Sequence, residues 1–395
     1  MNRRAVITGI GVITAIGRGL SEYWDALCRG TCGIGDITIF DTSGYRGRPG
    51  AEVKGINSSD TRLSRCDVLG LIAWGEAAKD ADYPAIDALP QRIGVCIGSG
   101  AGGLFNAEIF KHEIKEKGKG RPGLLVPFAS YAFTDLLAKK AGACGLKTTI
   151  STACSSSATA IGLAAEWIKK GLCDVVITGG SESLSETTFA GFNSLRTVDE
   201  VPCRPFDRER KGISLGEGAA ILILEEYNHA RKREAKIYAD ILGYGISGDA
   251  YHVTAPEPGG TGILRALEMA MRSAGCEKDR IQYINAHGTG TTANDVAETN
   301  AIKHFFGKRA YNIPVSSTKS MVGHCLGAAG AIEAAATILP IIKGVLPPTI
   351  NYKNPDPECD LDYVPEPRKM RVDIAISLSV AFGGNNTALI LGKAD

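Results

Sequence analysis

The sequence predicts an α/β protein built as two comparable halves. Three observations carry that prediction. Short β-rich runs recur from end to end, most of them apolar on both faces, as in strands covered by helices on each side. Helical patterns fall between several of these runs. Glycine reaches 48 of 395 residues, roughly 12% against a usual ~7%, which suits many tight turns and close backbone contacts.

Taken in order, the strand runs are RRAVITGIGVIT, RIGVCIGSGAGG, KTTISTAC, DVVITGGSES and AAILILEE. After them come IYADILGYGIS, IQYINAHGTGT, IPVSSTKS, IAISLSV and NTALILG. Helical spacing appears at 68–81, 155–170, 262–274 and 295–306. The charged stretch EEYNHARKREAK separates the halves, giving 1–235 and 236–395. The halves share layout and not letters. Segment 111–121, KHEIKEKGKGR, is polar and leans basic, and reads as a solvated loop.

Bulk composition excludes several classes. Net charge is +1, so no global field draws the chain to nucleic acid or membrane. Eleven cysteines are scattered without a CxxC pair, which reads as reduced thiols in a cytoplasmic protein. The opening MNRRAVITGIGVITAIG reads as a first strand rather than an export signal. The most apolar stretch, 326–346, is interrupted by Glu333, Pro340 and Lys343 and reads as a buried core helix, not a membrane anchor.

Four segments carry chemistry. In STACSSSATAIG, Cys154 follows a buried strand and starts a helix. Free N–H groups and the positive dipole end there favour thiolate over thiol, so its pKa is expected to fall. Its small neighbours are expected to leave room for a substrate. In NAHGTGTTANDVAE, His287 ends a strand, Thr289 and Thr291 offer hydroxyls to a polar extended ligand, and Asp295 and Glu298 open the next helix. In SSTKSMVGHCLGAAGAIEA, Lys319 precedes His324 by five residues. A nearby ammonium favours a neutral imidazole, which donates a hydrogen bond without changing charge. In SLSVAFGGNNTALILG a strand runs into Phe382-Gly383-Gly384. One cysteine, two histidines and one lysine thus stand at strand-to-loop transitions, where α/β sheets build their sites. A zinc ion held by Cys154, His287 and His324 is the alternative use of the same side chains.

These segments, with GGSES and RPFDRERKGISLGEGAAILILEE, resemble the β-ketoacyl-acyl carrier protein synthases of the synthase II type, in the family's order over roughly residues 3–392. The resemblance implies the thiolase fold, a five-layered α-β-α-β-α structure of two similar halves, usually a dimer. It implies that Cys154 takes an acyl chain from an acyl carrier protein as a thioester, and that His287 and His324 bind the malonyl-carrier thioester. Lys319 and Glu298 match the supporting lysine and glutamate. Phe382 matches a gating phenylalanine, and the amides of Cys154 and Phe382 match an oxyanion hole. Thr289, Thr291 and Gly383 are expected at the substrate. No metal and no organic cofactor are implied. The reaction implied is decarboxylative Claisen condensation to a 3-oxoacyl-carrier product, in fatty acid or polyketide and polyene elongation.

The chain departs from the family's usual loop by placing Ala381 where a glycine is common, which restricts the backbone. ACSSS is closer to polyketide ketosynthases. Some of those pair with a chain-length partner lacking the cysteine, so a heterodimer stands beside a homodimer. The rival readings are such a silent partner and a Cys-His thioester hydrolase. A biosynthetic thiolase would need a second cysteine in the C-terminal glycine loop, and a synthase III-type enzyme an asparagine where a second histidine stands. Carrier docking is expected to be electrostatic, with Arg62, Arg65 and 111–121 as candidates.

Overall fold

In the computed structural model, which describes residues 3–56, 60 and 62–394, ten strands form the frame. The first half supplies β1 (Ala5–Thr14), β2 (Ile93–Gly98), β3 (Lys147–Ile150), β4 (Val175–Glu182) and β5 (Gly218–Glu226). The second supplies β6 (Ala239–Gly248), β7 (Tyr283–Asn285), β8 (Val315–Ser316), β9 (Ile374–Ala381) and β10 (Asn385–Gly392). Spatial order is β3-β2-β4-β5-β1 in one half and β8-β7-β9-β10-β6 in the other. Both therefore run third, second, fourth, fifth, first. The directions repeat as well. β2 is parallel to β3 and β4, and β7 to β8 and β9, while the remaining neighbours are antiparallel. The duplication that the letters conceal is written in the topology.

β1 and β6 join the halves through a seam of two residue pairs, Val6 with Asp240 and Ile7 with Ala239. The principal helices are α1 (Arg65–Asp80), α2 (Leu104–Lys117), α3 (Ala132–Ala141), α4 (Ser156–Lys169), α5 (Thr261–Ala274), α6 (Thr292–Phe306) and α7 (Ala329–Lys343). α4 and α7 pack on each other between the half-sheets, α1 covers β1 and β5, and α5 covers β6 and β10. That is the layering the resemblance implies. The central helices are lined with alanine and glycine, which lets them approach closely. A Cβ on Gly330 of α7 would stand 2.6 Å from the Ala158 backbone nitrogen of α4. The apolar stretch Leu326–Lys343 is 89% buried, as the core-helix reading requires, and β1 is buried along its whole length.

One element differs from expectation. Residues 104–117 are helix, reaching into the segment read as a loop. Its apolar residues, Leu104, Phe105, Ile109, Phe110 and Ile114, are spread around the helix rather than gathered on one face, so it lacks an apolar stripe. It is held by pairs such as His112 with Glu116 at 2.9 Å and ends on Gly118 at φ 70.

Candidate active site

The ends of β3, β7, β8 and β9 converge on one cavity of about 250 Å³, lined by Cys154, His287, His324, Thr289, Thr291 and Phe382 among others. Parallel strands release the chain at one edge of the sheet, so loops from distant segments meet there. Cys154 sits in a tight 3₁₀ turn, Ala153–Ser155, just ahead of α4. Ala153 stands at φ 50, a left-handed conformation that costs an L-residue energy. Serine hydroxyls hold that turn. Ser156 Oγ donates to the Ala153 carbonyl at 2.6 Å and accepts the Thr152 N–H at 2.9 Å. Ser155 Oγ donates to the Thr152 carbonyl at 2.9 Å, and Ser157 Oγ accepts the Ala331 N–H at 2.9 Å. These serines are fully buried. They clamp the turn instead of making room for a substrate.

The thiol departs from expectation too. Burial pushes the Cys154 pKa up to about 11, against smaller downward pulls from Lys319 and from the Phe382 N–H, which donates to the sulfur. With 5% exposure, desolvation outweighs the favourable turn. The resting group is a thiol.

Both imidazoles are neutral, and their tautomers are set from behind. Lys319 Nζ lies 3.1 Å from His287 Nδ1. An ammonium can only donate, so Nδ1 accepts and the ring proton sits on Nε2. The Leu326 N–H donates to His324 Nδ1 at 3.2 Å, with the same result. Burial first, then Lys319, holds both pKa values well below the ordinary histidine range, and His324 lowers His287 a little further. The rings meet edge to face, centroids 5.2 Å apart. Two N–H donors thus come from one small region without bringing net charge.

Lys319 is itself buried and pairs with Glu333 of α7. In the sequence Glu333 reads only as an interruption of an apolar helix. A lone carboxylate in such a run was the available signal, because a buried acid needs a partner. Burial pushes Glu333 up to about 7, with Lys319 pulling down. Glu298 does not line the cavity. It accepts the His287 N–H at 2.6 Å and the Gly288 N–H at 2.8 Å, and so fixes the backbone at the histidine. Burial pushes it up to about 7 as well. Thr289 and Thr291 share a 2.9 Å hydroxyl hydrogen bond, and Thr291 caps α6.

Phe382 stacks on Phe192, centroids 5.4 Å apart, and both rings line the cavity. Phe192 gave no local signal, since its partner lies 190 residues away. Gly383, expected at the substrate, is not among the lining residues. Its φ is 79 and its N–H goes to the Val253 carbonyl at 2.7 Å, so it serves the turn. Ala381 is extended, at φ −135 and ψ 154, a conformation open to any residue, so alanine imposes no strain there. Of the docking candidates, Arg62 is exposed and pairs with Asp60, whereas the Arg65 side chain is only 8% exposed. Arg65 grips Glu217 through two hydrogen bonds and also donates to the Val53 and Ile56 carbonyls. It is removed as a docking residue because its donors are spent inside.

Comparison with known proteins places the whole chain in one family. Residues 2–230 match the beta-ketoacyl synthase N-terminal domain and residues 238–353 the C-terminal domain. A 3-oxoacyl-[acyl-carrier-protein] synthase 2 of Synechocystis is 43% identical, covering 99% of this chain and 98% of the relative. The solved ishigamide ketosynthase/chain length factor superposes with a TM-score of 0.96 at 35% identity, over 100% of both chains. A type II polyketide synthase acyl-carrier protein in complex with its ketosynthase bound to the hexaketide gives 0.92 at 32%, again over 100% of both. With both domains matched and the relatives aligned nearly end to end, the chain belongs to the beta-ketoacyl synthase family.

Proposed function

We propose that the chain is a 3-oxoacyl-acyl carrier protein synthase, elongating a fatty acid or polyketide chain by decarboxylative condensation. The observation that carries this is the cavity in which one cysteine shares space with two neutral imidazoles whose Nδ1 atoms are occupied from behind. Cys154 attacks the carrier-bound acyl thioester. The carbonyl oxygen takes up negative charge facing the Cys154 and Phe382 amides, and the departing carrier sulfur leaves with the thiol proton. Malonyl carrier then loses carbon dioxide. The electron pair moves onto the thioester oxygen, where the Nε2–H groups of His287 and His324 hold it, each worth roughly 3–4 kcal/mol. The enolate carbon attacks the acyl-cysteine carbonyl, and Cys154 departs as a thiolate that regains a proton from solvent. Neutral donors suit the task, since a charged imidazolium would give up its proton to the enolate.

The acyl carrier protein is the partner in both half-reactions. The assembly is a homodimer or a pair with a chain-length factor, as in the solved neighbour of that description, and the setting is cytoplasmic. The halves 1–235 and 236–395 contribute the nucleophile and the histidines respectively. The repeat of strand order on either side of that boundary supports the division. The test is intact mass after incubation with acyl carrier. A single acyl adduct is expected on wild type and none on Cys154→Ala, with malonyl decarboxylation surviving in the variant. Condensation by Cys154→Ala would remove the nucleophile from its role. Rapid hydrolysis of acyl carrier without malonyl carrier would point to the hydrolase, and an absent adduct to the silent partner.

A further inference from the structure

β4 ends on Glu182, a fully buried carboxylate that takes no part in lining the cavity. Burying a carboxylate is costly unless its lone pairs are used. Here four backbone N–H groups use them. Gly100 at 2.7 Å and Gly327 at 3.2 Å donate to Oε2, and Ala101 at 3.0 Å and Gly102 at 3.1 Å donate to Oε1. The three consecutive amides form a concave nest after β2. Gly327 comes from the other half, in the turn just past His324. The approach is too close for a side chain. A Cβ on Gly327 would stand 2.4 Å from the Gly100 nitrogen and 2.6 Å from Glu182 Oε2.

That turn is strained. Leu326 stands at φ 46, which a leucine adopts only where its surroundings hold it. Its N–H is the group that occupies His324 Nδ1. We infer that Glu182 is a positioning residue. By holding the Gly327 N–H it keeps Leu326 in the left-handed turn, so the Leu326 amide stays on Nδ1 and His324 keeps its proton on Nε2, facing the enolate. A carboxylate is needed because no other side chain accepts four donors in so small a volume. The inference rests on the proposed role of His324 as an enolate donor.

The experiment combines ¹⁵N NMR of labelled imidazoles with decarboxylation of malonyl carrier and acylation of Cys154 in the full-length protein. Wild type should show His324 as the Nε2–H tautomer. Glu182→Gln should populate the other tautomer at His324 and leave the His287 signals unmoved. It should lower the decarboxylation kcat by 10- to 100-fold with KM and acyl transfer within threefold of wild type. A folded Glu182→Gln with wild-type tautomer and decarboxylation would overturn the inference. So would wild-type His324 with its proton on Nδ1, a measurement that stands even if the variant does not fold. If wild type fails to decarboxylate malonyl carrier, the functional reading falls instead, and the tautomer still judges Glu182.

Discussion

At the scale of single residues, three buried groups at the cavity are held uncharged. Desolvation holds Cys154 as a thiol and both imidazoles as neutral donors. The consequence for pH is direct. With a pKa near 11, the thiolate fraction rises about tenfold per pH unit through neutrality and beyond. Alkylation of Cys154 by iodoacetamide, followed by mass spectrometry, should therefore keep climbing from pH 7 to pH 9. A plateau within that range would show that the turn's amides outweigh burial. Cys154 and both histidines were legible as strand-end residues. The protonation state of the thiol was not, because desolvation depends on what packs around it and not on its neighbours in sequence.

At the scale of elements, α7 and the turn holding Lys319 are joined by a buried ion pair. Lys319→Met leaves Glu333 buried without its cation, which should cost about 3–5 kcal/mol in denaturant unfolding. It also frees His287 Nδ1, so decarboxylation should fall at least tenfold. Adding Glu333→Gln should recover stability without recovering decarboxylation, and recovery of both would leave Lys319 no role at the histidine. Helices 156–169, 261–274 and 292–306 were legible from their spacing to within a few residues. Helix 104–117 was not, since a helix without an apolar stripe leaves no periodic trace.

At the scale of the molecule, two copies of one strand order face each other across α4 and α7, and the site lies where their loops meet. Internal ties are therefore as important as surface charges. Arg65 joins α1 to Glu217, ahead of β5. Arg65→Ala should lower stability by about 3 kcal/mol, since it leaves the buried Glu217 with backbone N–H donors but no cation. Arg62→Ala should leave the melting temperature unchanged and alter only the salt dependence of KM for the carrier. Equal losses of stability in the two variants would contradict this division between inside and outside.

What the sequence determined by itself was the class of fold, the strand ends that carry the cysteine and the histidines, and the family its segments resemble. Those are local properties, set by apolar runs, turn residues and short spacings. Only the tertiary structure decided the tautomers, the protonation of the thiol, the burial of the Arg65 and Lys319 side chains, and the placement of Glu333, Phe192 and Glu182. Each depends on a contact between segments far apart in the chain, and no window of sequence contains both sides of such a contact.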